Sequence, residues 1–354
     1  MSNKKKKKWW LREQEMRRNV RRFRHRVKRK GRHYMIDKDI SDSRIRERRQ
    51  KKRKIKNWEQ HIAPSNFSLA NNTKETFRYF ATLKEDLRVG KACFVDVSEI
   101  TDITIETLTL LCAFISDRNS TFGTQVRGNL PKDLKLKNMF ISSGFLKHVV
   151  TSPSLRKSAM SETSNRLVHV QTDTKADAKI VSEVYKPALK LLYGQNTSGM
   201  HKDLGKILVE MMANTVNHAS DGTQNEKYNW WFLVYLDEKN LAAKFCFLDL
   251  GVGIFDSLPV TIKQKYLIMK YKESNIENLK AIFAGEYKTK TAKKERGRGL
   301  FTIHETVGNA IDIKNFSMIS NDIFAIIEKG RGDKIARMNS DFHGTIYYWE
   351  LIKK

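Results

Sequence analysis

One helix-forming stretch constrains this chain more than any other. Leu204, Ile207, Leu208, Met211 and Met212 recur at helical spacing, while Glu210, Asn214 and Asn217/His218 follow one another at i, i+4 and i+7/i+8. An apolar face and a polar stripe therefore run down the same helix. A carboxylate one turn from a carboxamide oxygen can take a proton from an attacking group beside a ligand for Mg²⁺, a cation that favours oxygen donors and keeps several waters. About thirty residues on, Phe247-Leu248-Asp249-Leu250-Gly251-Val252-Gly253-Ile254 reads as an apolar strand running into Asp-x-Gly-x-Gly. That pattern puts one carboxylate at a strand end, followed by two residues without Cβ where backbone can lie close to a ligand. Taken singly, each group also has an ordinary reading: a solvated Asn, a turn, a structural histidine.

Their order adds information. Glu210-x3-Asn214-x3-His218, a two-strand interval, Asp249-x-Gly251-x-Gly253, Gly297-Arg298-Gly299-Leu300 and finally Gly344-Thr345 on a terminal strand together resemble the ATP-binding domain of the GHKL superfamily of gyrases, Hsp90-type chaperones, histidine kinases and MutL. The resemblance spans about residues 165 to 354. It implies a Bergerat-type two-layer α/β sandwich, with ATP and Mg²⁺ as cofactors. Carried over residue by residue, it implies that Asp249 accepts the adenine amine, supported by Thr345, while Gly251 and Gly253 pass the base and ribose. Asn214 would ligate Mg²⁺ and Glu210 would orient or deprotonate the attacking group. Asn217 and His218 would lie near the phosphates, although His218 has an equally good structural reading. Arg296, Gly297, Gly299 and Leu300 would close over the phosphates at a helix amino terminus.

The expected lid is about Phe255 to Arg296, carrying Lys288, Lys290, Lys293 and Lys294. The glycine box is shorter than the Gly-x-Gly-Leu-Gly run of many relatives. No histidine-kinase acceptor box precedes the domain, since His201-Lys202-Asp203-Leu204 lies inside it. Autophosphorylation on histidine is therefore not expected.

Ahead of this region, residues 71–150 alternate between helix and strand patterns. A helix with Phe77, Phe80, Leu83 and Leu87 on one face leads through Gly90 into the strand Ala92 to Val97, followed by an apolar helix from Ile105 to Ile115. A strand near Gln125 to Arg127 and a helix including Leu136, Met139 and Phe140 follow. The unit resembles a degenerate STAS domain. The phosphorylatable acceptor motif of the anti-sigma-factor antagonists that share this fold is absent, because Thr104-Ile105-Glu106-Thr107-Leu108 stands in its place. A phospho-switch at Ser98, Thr104 or Thr107 is thus less expected than a scaffold or protein-docking role, with a homodimer as one outcome. Residues 151–165, with Pro153 among Ser and Thr, read as a linker.

Charge is placed unevenly. Of a net +28, residues 1–60 carry 26 Lys/Arg against 7 Asp/Glu, a net +19. Within this block Trp9, Met16, Val20, Phe23 and Val27 recur at helical spacing up to Gly31, and a second basic helix is expected from about Ser43 to Ile62, before Pro64. Arg interleaved with Trp9, Trp10, Phe23, His25, His33 and Tyr34 offers phosphate contacts together with stacking faces. A nucleic-acid partner for residues 1–62 is the first expectation, with an anionic membrane surface or acidic protein as the alternative; a solvated tail that folds on binding is the ordinary reading.

Cys93, Cys112 and Cys246 sit singly in apolar runs, the usage of reduced, buried thiols. Trp9-Trp10-Leu11 is followed at once by charge and no run reaches the ~18 apolar residues a span requires, so a cytoplasmic protein with no transmembrane segment is expected. The leading function is an ATP-hydrolysing molecular switch. The alternatives are a serine/threonine kinase like the anti-sigma-factor kinases, and a non-catalytic nucleotide-sensing scaffold.

Overall fold

The computed structural model describes residues 58–150, 168–173, 178–194, 201–218, 229–258, 275–286, 298–310, 312–328 and 332–352, with Ala176 and Gly330. The expected basic helices up to residue 57, the linker at 151–165 and the segment from 287 to 297 lie outside them. The chain divides into two compact units, residues 1–58 and 59–354.

The second unit opens with a small parallel sheet. Its strands β1 (Glu59–Ile62), β3 (Cys93–Asp96) and β5 (Val126–Gly128) stand in the order β1-β3-β5, and β2 (Asn66–Phe67) pairs with β4 (Asp102–Ile103) beside them. Glu59–Ile62 is therefore a strand rather than the end of a basic helix. Its backbone pairs with β3 from Glu59↔Cys93 to Ile62↔Asp96, and tertiary pairing overrides the helix propensity of the charged residues ahead of it.

Helix α1 (Thr73–Arg88) buries Phe77, Phe80, Leu83 and Leu87 as their spacing requires. Helix α2 (Ile105–Ser116) is different, because every residue from Thr107 to Ile115 is buried. A helix apolar all round must be covered all round. The short helices α3 (Arg118–Thr121) and α5 (Phe145–His148) and helix α4 (Leu134–Ser142) complete this section.

What covers the far side of α2 is a second sheet. Strands β6 (Val168–Asp173), β7 (Trp230–Asp237), β8 (Ala242–Asp249), β9 (Ile313–Ile327) and β10 (Lys334–Ile352) form a five-stranded antiparallel sheet in the order β6-β7-β8-β10-β9. One face carries Trp230, Phe232, Phe245, Phe247 and Trp349. It packs against helices α6 (Ala178–Tyr193), α7 (His201–His218), α9 (Asn275–Phe283) and α10 (Gly299–Asn309). A single turn, α8 (Ile254–Ser257), follows β8.

The other face carries Trp231, Leu233, Cys246 and Leu248, which belong to the same apolar cluster as α2 and the small sheet. The Trp231 indole N–H donates to Ser116 Oγ at 3.0 Å across this junction. The architecture is thus mixed α/β with the larger sheet covered on both faces, where the sequence reading places helices on one face only. Residues 313–327 form one long strand and 334–352 another. Periodicity breaks at the polar run Ser320-Asn321-Asp322, which β9 nevertheless contains, and the β9–β10 ladder accommodates it with register shifts near Phe342.

No helix among the described residues is long and apolar enough to cross a membrane. All three cysteines are free and buried.

Candidate functional site

Asp249 ends β8 with Trp230 opposite it on β7 and Thr345 opposite it on β10. It is 7% exposed. Oδ1 accepts the Gly251 N–H at 2.9 Å, and Oδ2 lies 3.4 Å from the Thr215 hydroxyl. Thr215 also donates to the Met211 carbonyl at 3.2 Å. A hydroxyl has one proton to give, so the carboxylate receives at most a shared bond from it. Burial accordingly pushes its carboxyl up to about 6, and the Gly251 N–H and the Thr215 and Thr345 groups partly oppose that rise.

The Gly251–Gly253 loop is clamped to β9 by two side chains that sequence reasoning did not single out. Ser320 Oγ accepts the Ile254 N–H at 2.9 Å, donates to the Gly344 carbonyl at 3.0 Å and stands 3.2 Å from Thr345 Oγ1. Asn321 accepts the Phe255 N–H at 3.1 Å and donates to the Val252 carbonyl and the Asp256 carboxylate at 3.0 and 2.9 Å. Gly253 has φ +87°, and a Cβ there would stand 2.3 Å from Asn321 Oδ1. The bare face of Gly253 is thus filled by a protein carboxamide. Gly344 serves similarly, since its Cβ would lie 2.3 Å from the Asp249 carbonyl oxygen.

The second half of the site lies along α7. Glu210 and Asn214 are half-buried, one turn apart, and Thr215 is buried beside Asn214. Burial raises the Glu210 carboxyl, with Lys206 one turn back opposing the shift. A Cβ on Gly299 would stand 2.9 Å from both Asn214 Oδ1 and Glu210 Oε2. The first residue of α10 therefore rests directly on this pair, and a Cβ there would push the two side-chain ends aside. Arg298, at the cap position, makes no side-chain capping bond. The first amides of α10 have no partner within the helix and favour an anion there. Leu300 is buried and anchors the turn.

Two oxygen donors converging beside a helix amino terminus fit a hard cation that takes one or two protein ligands and keeps its waters. Thr215 links the two halves, following Asn214 in sequence while touching Asp249. A trace of it is present in the sequence, because Thr215 continues the apolar spacing of Met211 and Met212 and so is a polar residue on a buried face. Ser320 and Asn321 gave no comparable signal.

The structure brings together Glu210, Asn214, Gly299 and Leu300 in one group and Asp249, Gly251, Gly253 and Thr345 in the other. Asn217 and His218 fall in the last turn of α7 with side chains outside the described residues, where Arg296, Gly297 and the four lid lysines also lie. Of the expected lid, α8 and α9 are described. No protein-family model matches this chain, and no curated protein matches its sequence.

Proposed function

We propose that this chain binds ATP with Mg²⁺ between α7, the end of β8 and the start of α10, and hydrolyses it as a molecular switch. The observation that carries the reading is the link through Thr215. It joins the buried carboxylate at the end of β8 to a carboxylate–carboxamide pair set against an uncapped helix start. Asp249 would take the exocyclic amine of adenine, with Thr215 and Thr345 supporting it. Asn214 would hold Mg²⁺, which when bound neutralises charge on the phosphates. The α10 amides would cradle the phosphates, with Arg296 and Gly297 preceding them in the chain. Glu210 would orient or deprotonate the attacking water, and its raised pKa brings it nearer the range useful to a base. Phosphoryl transfer asks mainly for positioning and charge stabilisation, which these groups supply.

The same proposal takes residues 166–354 as a Bergerat-type sandwich and residues 71–150 as STAS-like, supported by element order. It takes the basic arm as a nucleic-acid contact in an intracellular protein, supported by the +19 block. A docking role for the STAS-like section, including homodimer formation, rests on the resemblance alone.

The test separates binding from chemistry. Asp249→Asn should weaken ATP binding about tenfold or more, because one mismatched buried polar contact costs about 1–3 kcal/mol. Glu210→Gln should leave ATP bound while lowering phosphate release about 10²-fold or more. Equal binding by the first variant, or parental turnover by the second, refutes the assignment. With labelled ATP, label on protein instead of free phosphate would replace the hydrolase by a kinase.

A further inference from the structure

A cleft of about 470 Å³ opens between α1 and the start of the final run of β10, away from the Glu210–Gly299 pair. Its floor is apolar: Phe77 and Phe342, with ring centroids 5.9 Å apart, together with Phe114 and Leu250. Its rim is cationic. Lys74, Arg78 and Lys84 follow Ala81's face of α1 at spacings of four and six, and all three are exposed.

The carboxylates of α1 are engaged elsewhere. Glu75 accepts from Asn72, Glu85 pairs with Arg88, and Asp86 pairs with Lys91 and lies 3.3 Å from His61. Asp341 is the single carboxylate lining the cleft, and among the described residues none of the three rim cations forms an ion pair. An aromatic floor under three free cations is complementary to a molecule with an apolar body and an anionic head, and the volume is that of a small-molecule site.

We infer that this cleft is a binding site for a small anionic amphiphile, an acyl chain ending in a carboxylate. The floor takes the chain by burial of apolar surface, and Arg78 and Lys84 take the head, Arg78 with the planar fork that suits a carboxylate. The position of the cleft gives it a consequence. Leu250 directly follows Asp249, and Phe342-His343 directly precede Gly344-Thr345, so a ligand here packs beside the end of β8 and the Gly344-Thr345 stretch of β10.

The test uses the full chain and dodecanoate below its micelle concentration, with binding read by titration calorimetry in the absence of nucleotide, so the outcome does not depend on the ATP proposal. Dodecanoate should bind saturably at one site, with dodecanol and acetate at least about tenfold weaker. Arg78→Glu/Lys84→Glu should weaken dodecanoate about tenfold or more through lost charge-assisted bonds. Ala81→Trp, which keeps every charge and fills the cleft from an exposed position, should weaken it comparably. The inference is overturned by absence of saturable dodecanoate binding, by equal binding of dodecanol, by parental affinity in either variant, or by binding to anionic phospholipid vesicles alone.

Discussion

Gly299 shows how much one missing methyl group decides. Its Cβ position faces the ends of Glu210 and Asn214 rather than backbone, so Gly299→Ala should be cheap in stability, because side-chain ends can move. It should nevertheless be costly in chemistry, because the groups that move are the proposed base and metal ligand. We expect a melting temperature close to the parent's with phosphate release lowered about tenfold or more, since displacement of a catalytic group by about 1 Å has effects on that scale. Gly253 is the converse case: φ is +87° and the Cβ would meet Asn321 at 2.3 Å, inside a network buried on both sides. Gly253→Ala should destabilise the fold by roughly 1–3 kcal/mol, read from denaturant midpoints.

Asp249 supplies a pH dependence. Its carboxyl sits at about 6 in the fold against an ordinary 3.8, so the folded chain takes up the proton first as pH falls. The stabilisation from the protonated form is therefore present at low pH and lost as pH rises through 6, by up to about 3 kcal/mol. The stability gap between Asp249→Asn and the parent should widen in favour of Asn from pH 5 to pH 7.5. Because a ligand N–H favours the ionised form, ATP binding near pH 6 should release protons, measurable by calorimetry in buffers of different ionisation enthalpy.

Among the elements, α2 carries the most information about assembly. Its continuous burial from Thr107 to Ile115 arises because it lies between two sheets, and the face of the larger sheet that it covers holds Trp231, Leu233, Cys246 and Leu248. A chain cut at the expected linker would leave those side chains in water. Residues 166–354 produced alone should therefore aggregate or bind a hydrophobic dye, whereas 58–354 should unfold in a single transition. A soluble, dye-negative 166–354 fragment with the parent's thermal transition would show that the junction is dispensable.

At the scale of the whole molecule, the basic block and the residues of the candidate site occupy separate parts of the chain. Deletion of residues 1–57, which stops short of β1, removes most of the basic block while leaving every residue of the candidate site. We expect it to abolish most affinity for DNA or RNA and to leave ATP binding unchanged. The parent's nucleic-acid affinity should fall steeply with salt, because each neutralised phosphate releases counterion. Affinity that survives the deletion would move the nucleic-acid contact into residues 59–354.

The sequence by itself determined several of the elements and half of the candidate site. Helical spacing located α1, α2 and α7, apolar runs located β3 and β8, and the polar stripe on α7 singled out Glu210 and Asn214, because local periodicity follows directly from which faces must be buried. Only the tertiary structure decided that Glu59–Ile62 is a strand, that β9 continues through Ser320-Asn321-Asp322, and that α2 covers the second face of the larger sheet. It also decided that Gly253 is reserved for Asn321, Gly344 for the Asp249 carbonyl and Gly299 for Glu210 and Asn214. The reason is physical: these are contacts between segments far apart along the chain, and a missing Cβ or a buried hydroxyl has no meaning until the chain folds something against it.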